Sequence, residues 1–235
     1  MTVVLMLGSG PQAVQAADWP RAGFDRIVAI NNAWRIRPDW DDAIFPWDFP
    51  EDRRPIAGPD QRLITQEDFV PAQNALGGFL YAGGTMAFTT AYWILHTLKP
   101  RVIAAYGCDM HYPATGPTHF YGTGTPDPLR ADITLRSLEA KSARFRILAA
   151  MAGCAAVNLS EGPSRLVWPR AMLQGLAELR LQPFNTELAA QALARERALN
   201  YHSPSGRYWE EADRFDLAQI DALDALWLAA NQPAP

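Results

Sequence analysis

The chain has 235 residues, 49% of them hydrophobic and 20% charged, with a formal net charge of −4. That length suits one α/β domain with a small appendage, and the apolar share is enough for a sizeable core. The acidic balance leaves no basic footprint for nucleic acid, so an anionic ligand has to be held by local donors.

"VVLML" at 3–7 is a short, wholly apolar run closed by "GSGP". No charged stretch precedes it and no small-residue cleavage site follows, so it reads as a strand and not a signal peptide. Similar runs stand at 24–30, 43–49, 101–106 and 154–160, the third weakened by Pro46. Continuous apolar strands separated by helical stretches predict a mostly parallel sheet with helices on both faces, a Rossmann-like α/β fold. Pro11 opens a short helix over 11–18. "GTMAFTTAYWILHTL" at 84–98 reads as a buried helix, with His96 as a satisfied core residue. Residues 131–153 form another, capped by Asp132 and stopped at Gly153, with Ile133, Leu138, Phe145, Leu148 and Ala149 inward and Arg136, Lys141 and Arg144 on a solvated face. From about 161 the texture becomes helical, with runs at 172–181, 186–200 and 216–230 interrupted by "YHSPSGRYWEEADRF", and the final "NQPAP" reads as disordered. The expected organisation is a nucleotide-binding domain over 1–160 and a helical extension over 161–235 packed on it. No apolar run reaches membrane-spanning length. Cys108 and Cys154 form no Cys-x-x-Cys pair and indicate no disulfide framework. A soluble cytoplasmic protein is expected, with homo-oligomerisation left open.

Three segments carry chemistry. Gly8, Gly10 and Ala13 fit G-x-G-x-x-G/A after the first strand, a spacing that brings backbone N–H groups and a helix N-terminus to a phosphate. A side chain at Gly10 is therefore expected to impair ligand binding more than folding, although a tight strand-to-helix turn needs the same glycines. The second strand ends in Asn31 and Asn32 where a dinucleotide enzyme places an acid, which argues against NAD. Gly83, Gly84 and Thr85 open the apolar helix, either as a second donor site or as a plain N-cap.

The third segment, "YGCDMHYPATGPTHFYGTGTPDPLR" at 106–130, has neither helix nor strand periodicity. Loops of that length in compact domains are usually functional. Cys108, Asp109, His111 and His119 match no standard metal-ligand spacing, so proton transfer by His119, among Thr118, Tyr121 and Thr123, is the stronger chemical reading. Hydrogen bonds that merely order the loop remain the alternative.

In order, "LGSGP", "INNAW", the glycine pair with Thr85, "YGCDM", "THFYG" and "AAVNLS" resemble segments of the bacterial sialyltransferases of glycosyltransferase family 42, which read roughly GNGPS, CNQ, SG, GIDFY and SHY-x-GH. A second resemblance is to MptE-like proteins, some of which handle pterin diphosphates. The match covers about residues 3–165. It implies a nucleotide-sugar-dependent glycosyltransferase that moves a sugar from a CMP-type donor to a glycan or small-molecule hydroxyl, with no metal and no cofactor beyond the donor. It places Gly8, Ser9 and Gly10 at the phosphate, Asn31 or Asn32 at the sugar, and Gly84 and Thr85 at the nucleotide. The phosphate-binding tyrosine of the GIDFY segment falls at His111, beside Asp109 and with Tyr112 next; Tyr112 and Tyr121 are the tyrosines expected at the leaving phosphate. The family's catalytic histidine falls near Thr123, and His119 matches the preceding histidine. Either His119 takes that role from four residues away, or the chain is no sialyltransferase: a pyrophosphate-handling transferase, or a nucleotide- or glycan-binding module that kept the fold.

Overall fold

The computed structural model describes residues 2–123 and 130–233. Six parallel strands form one sheet: β1 (Val3–Leu7), β2 (Arg26–Ile30), β3 (Asp42–Ile44), β4 (Arg62–Ile64), β5 (Val102–Tyr106) and β6 (Ala155–Asn158), in the order β4-β3-β2-β1-β5-β6. Leu7 is in register with Ala29 on one side and Tyr106 on the other. The chain is thus an α/β protein with a Rossmann-like sheet and C-terminal helices. Among the described residues six α-helices accompany it: α1 (Gln66–Ala75), α2 (Phe79–Ala82), α3 (Met86–Trp93), α4 (Leu138–Met151), α5 (Thr186–Leu199) and α6 (Leu217–Ala230).

A central parallel strand is buried on both faces, and β1 shows how. Val4 and Met6 join the core beneath the six α-helices. Val3, Leu5 and Leu7 face the other way, where 3₁₀ segments, chiefly Pro11–Asp18 and Asn31–Arg35, cover the sheet with Ala13, Ala16 and Ala33.

Several expected elements change. The run at 43–49 stays in the sheet only to Ile44, because Pro46 has no N–H for a ladder. The helix over 84–98 is α-helical to Trp93 and then widens into a π turn that closes at Lys99 in left-handed conformation; His96 on that turn is exposed, not buried in the core. Asp132 caps only a 3₁₀ turn, Ile133–Leu135, and Ser137 caps α4 afresh through its hydroxyl. The run at 172–181 holds only the turn Leu176–Glu178, because Gly175 sits at φ 83°. Ala234 and Pro235, part of the tail expected to be disordered, lie outside the described residues.

The solvated face assigned to α4 is the largest correction. Arg136 does stay near solvent, paired with Asp221, but Lys141 and Arg144 are buried. α5 and α6 close over α4, so Lys141 Nζ meets Asp224 at 2.8 Å and Arg144 Nε meets Glu196 at 2.7 Å. Buried charges of this kind persist when paired and hydrogen-bonded. Among the described residues no helix is long and apolar enough to cross a membrane.

Candidate functional site

The chain turns in opposite directions from β1 to its neighbours β2 and β5, which opens a crevice beyond their carboxyl ends. A cleft of about 1730 Å³ lies there. It brings together twelve of the residues singled out in the sequence: Gly8, Ser9, Gly10, Asn31, Asn32, Gly84, Thr85, Asp109, His111, Tyr112, His119 and Tyr121; Ala13 and Gly83 do not line it.

The glycine turn is built differently from the expectation. The Gly8 amide donates to Tyr106 O and the Gly10 amide to Gly107 O, both at 2.8 Å. A Cβ on Gly8 would stand 2.4 Å from Gly107 O, and one on Gly10 would stand 3.0 Å from it. Both glycines therefore serve the close approach of the turns after β1 and β5, and their N–H groups are not free for a phosphate. Ser9 and Gln12 keep amides that no described backbone group accepts. A side chain at Gly10 would therefore also press on the Gly107 backbone, so a folding cost is expected beside any effect on ligand. Gly8→Ala is expected to lower stability by roughly 1–3 kcal/mol through overpacking against backbone. Urea unfolding checks this; an unchanged midpoint with lost ligand binding would restore the ligand-contact role.

Asn31 and Asn32 follow β2. Asn31 adopts φ 51°, a left-handed conformation that asparagine tolerates better than most residues. Among the described residues the Oδ1 atoms of both are buried without a hydrogen-bond partner, and Asn32 is 3% exposed. Leaving such a group unmade costs about 1–3 kcal/mol, a cost that a donor on a ligand would relieve.

At α3 the donors are already engaged. The Gly84 amide donates to Thr134 Oγ1 at 3.0 Å, and Thr85 Oγ1 accepts from the Phe88 amide at 3.2 Å. Thr85 is thus an N-cap, and its place at the cleft wall is that of a packed side chain. Asp109 Oδ1 accepts from Asn158 Nδ2 at 3.0 Å and stands 3.9 Å from Arg170. His111 is exposed, just after Met110, whose φ is 49°.

The long loop returns over the cleft. Phe120 N donates to Ser9 O at 3.0 Å, tying the loop to the glycine turn. His119 and Gly122 exchange backbone hydrogen bonds across a tight bridge. The His119 ring stacks on Tyr121 at 4.9 Å and lies 6.0 Å from Tyr112. Its Nδ1 is 2.9 Å from Thr118 Oγ1, and among the described residues Nε2 has no hydrogen-bond partner. Burial lowers its pKa from the ordinary value, favouring the neutral base. Residues 124–129 of this loop lie outside the described residues.

Among the described residues, no three His, Cys, Asp or Glu side chains converge on a point that could hold a metal. Cys108 is buried, and that burial, reinforced by Asp109, raises its thiol pKa well above the usual range.

Sequence reasoning missed part of the lining. Trp47 and Arg53 come from the segment after β3, Arg35 from the turn after β2, and Tyr208 and Trp209 from the C-terminal extension. Tyr208 donates to Asp132 at 2.7 Å, and burial raises its pKa to about 12. The one available signal was the interruption of helical texture at 201–215, with its two adjacent aromatics. Comparisons of the chain with protein-family models, with curated proteins and with solved structures return no match.

Proposed function

We propose that the chain is a metal-independent, nucleotide-sugar-dependent glycosyltransferase using a CMP-type donor. The observation that carries this reading is His119: a half-buried imidazole, kept neutral by burial and fixed by Thr118 beside Tyr112 and Tyr121, in the cleft that also holds the unpartnered amide oxygens of Asn31 and Asn32. The cleft volume of about 1730 Å³ exceeds the roughly 300–1,000 Å³ of an ordinary ligand pocket, which suits two substrates side by side.

In this reading the donor phosphate meets the Ser9 and Gln12 amides, and exocyclic or hydroxyl donors of the nucleotide satisfy Asn31 and Asn32. His119 Nε2 takes the proton of the acceptor hydroxyl as its oxygen bonds to the anomeric carbon. The bond between that carbon and the phosphate oxygen breaks, and CMP leaves with the electron pair. Tyrosine hydroxyls donate to the departing oxygens without adding net charge.

Calorimetry with CMP, with and without EDTA, tests the reading. Heat of equal size in both titrations is expected. No heat in either would remove it, and thermal stabilisation by ATP with Mg²⁺ and a pterin, but not by CMP, would favour pyrophosphate transfer instead.

A further inference from the structure

The part of the cleft beyond β3, reached by Arg35 at the far end of the turn that follows β2, is not used by the nucleotide chemistry above, yet it is a built surface. Trp47 lies there 67% exposed, against the tendency of large aromatics to be covered. Its segment is held in place by Arg54, which donates to Trp47 O at 3.0 Å and to Phe49 O at 2.8 Å. Trp34 holds the Arg53 backbone and the Arg35 guanidinium at this end of the cleft. Trp34 Nε1 donates to Arg53 O at 3.0 Å, and the Arg35 guanidinium lies 5.4 Å from the Trp34 ring centre. Arg35 and Arg53 both line the cleft, and neither forms an ion pair among the described residues. This contrasts with Arg21, Arg26, Arg37 and Arg62 around the same strands, all paired with aspartates. Two carboxylates also line the wall here: Glu67, engaged by Thr65 and Gln66, and Asp48, which stands more than an ion-pair distance from either arginine.

We propose that this end of the cleft is a second subsite for an anionic sugar, the acceptor of the reaction above. Trp47 offers an indole face for the C–H face of a pyranose ring, and Arg35 and Arg53 bind the ring's phosphate or carboxylate. Guanidinium forks suit both anions, and a cationic end of the site holds an anion that a net charge of −4 would otherwise repel. The assignment of this ligand as acceptor rests on the glycosyltransferase reading; the binding itself does not.

Calorimetry on the full chain with glucose 6-phosphate, glucuronate and glucose tests the subsite. At least one anionic sugar is expected to bind at least about tenfold tighter than glucose, the better of the two identifying phosphate or carboxylate as the anion. Arg35→Gln and Arg53→Gln are each expected to weaken the anionic sugar by roughly tenfold while leaving glucose unchanged. Trp47→Ala is expected to weaken all three sugars. These side chains are exposed or on the rim, and a thermal scan of each variant confirms folding. Equal affinity for glucose and both anionic sugars, or anionic-sugar affinity unmoved in both arginine variants, overturns the subsite. CMP is titrated separately into the same proteins. CMP heat without anion preference removes the subsite and leaves the nucleotide reading. Anion preference lost in the arginine variants, without CMP heat, supports the subsite and removes the nucleotide reading.

Discussion

Glu196→Ala is expected to destabilise the fold by about 3–5 kcal/mol, enough to unfold a marginal domain. Glu196 is buried in α5 and accepts three hydrogen bonds: from Arg144 Nε at 2.7 Å, Arg144 Nη2 at 2.8 Å and Trp227 Nε1 at 2.8 Å. Arg144 is buried in α4 and also donates to the Tyr92 hydroxyl and to Leu76 O. The rings of Tyr81, Tyr92 and Trp227 surround its guanidinium at 5.9, 5.5 and 5.7 Å. Burial disfavours the charge, and the Glu196 carboxylate with the Tyr92 hydroxyl more than offsets this, so Arg144 stays protonated. Removing Glu196 leaves that charge enclosed with no counter-ion. The double variant Arg144→Met, Glu196→Leu is expected to recover much of the loss, because neutral packing replaces buried pairs at little cost. Urea unfolding of the single and double variants measures both. A single-variant loss under about 1 kcal/mol would place the pair in the class of solvent-screened ion pairs and contradict its enclosure.

The same pair shows where sequence reading runs out. Strands β1, β2, β5 and β6 were legible because each is a short apolar run with turn residues at its end. β4 was not: only Ile64 of its three residues is buried, since it is an edge strand. The charges of α4 read as a solvated face because helical periodicity describes one helix at a time. Their partners, Glu196 and Asp224, lie 52 and 83 positions further along the chain. A local trace existed: Asp224 and Glu196 each interrupt an otherwise apolar helix face, a pattern that asks for a buried cation. At the cleft, the glycine spacing located the turn, and the order of strands placed its partners at the same edge. What the glycines touch was hidden, because Gly107 reaches them only across the β1–β5 pairing. Trp47 sits on an irregular segment and Trp209 near the start of a kinked 3₁₀ stretch, Tyr208–Arg214, with no period to mark either. His119 was found from its neighbours, Thr118 and Tyr121, and both contact its ring.

His119→Asn is expected to reduce turnover by about 10²–10⁴-fold while CMP affinity stays within about twofold of wild type. Asparagine has the donor and acceptor needed to keep the contact with Thr118, now made by Nδ1 at 2.9 Å, so the loop keeps its anchor. It cannot take a proton near neutral pH. The pH profile supplies a readout that a loop-ordering role would not move. Burial lowers the His119 pKa, so the neutral base persists into more acidic solution than for a free histidine. The acid limb of kcat/KM for the wild type should therefore fall with a midpoint below about 6.5. The limb should be absent from whatever rate the variant retains. The stability sign follows from the same shift: as pH falls through the ordinary histidine range, the unfolded chain binds this proton before the folded one does, and the fold loses stability. The asparagine variant should lose that acid sensitivity. Variant turnover equal to wild type, with the acid limb intact, would exclude His119 as the base and leave Thr118, His119 and Tyr121 as a hydrogen-bonded and stacked support for the loop.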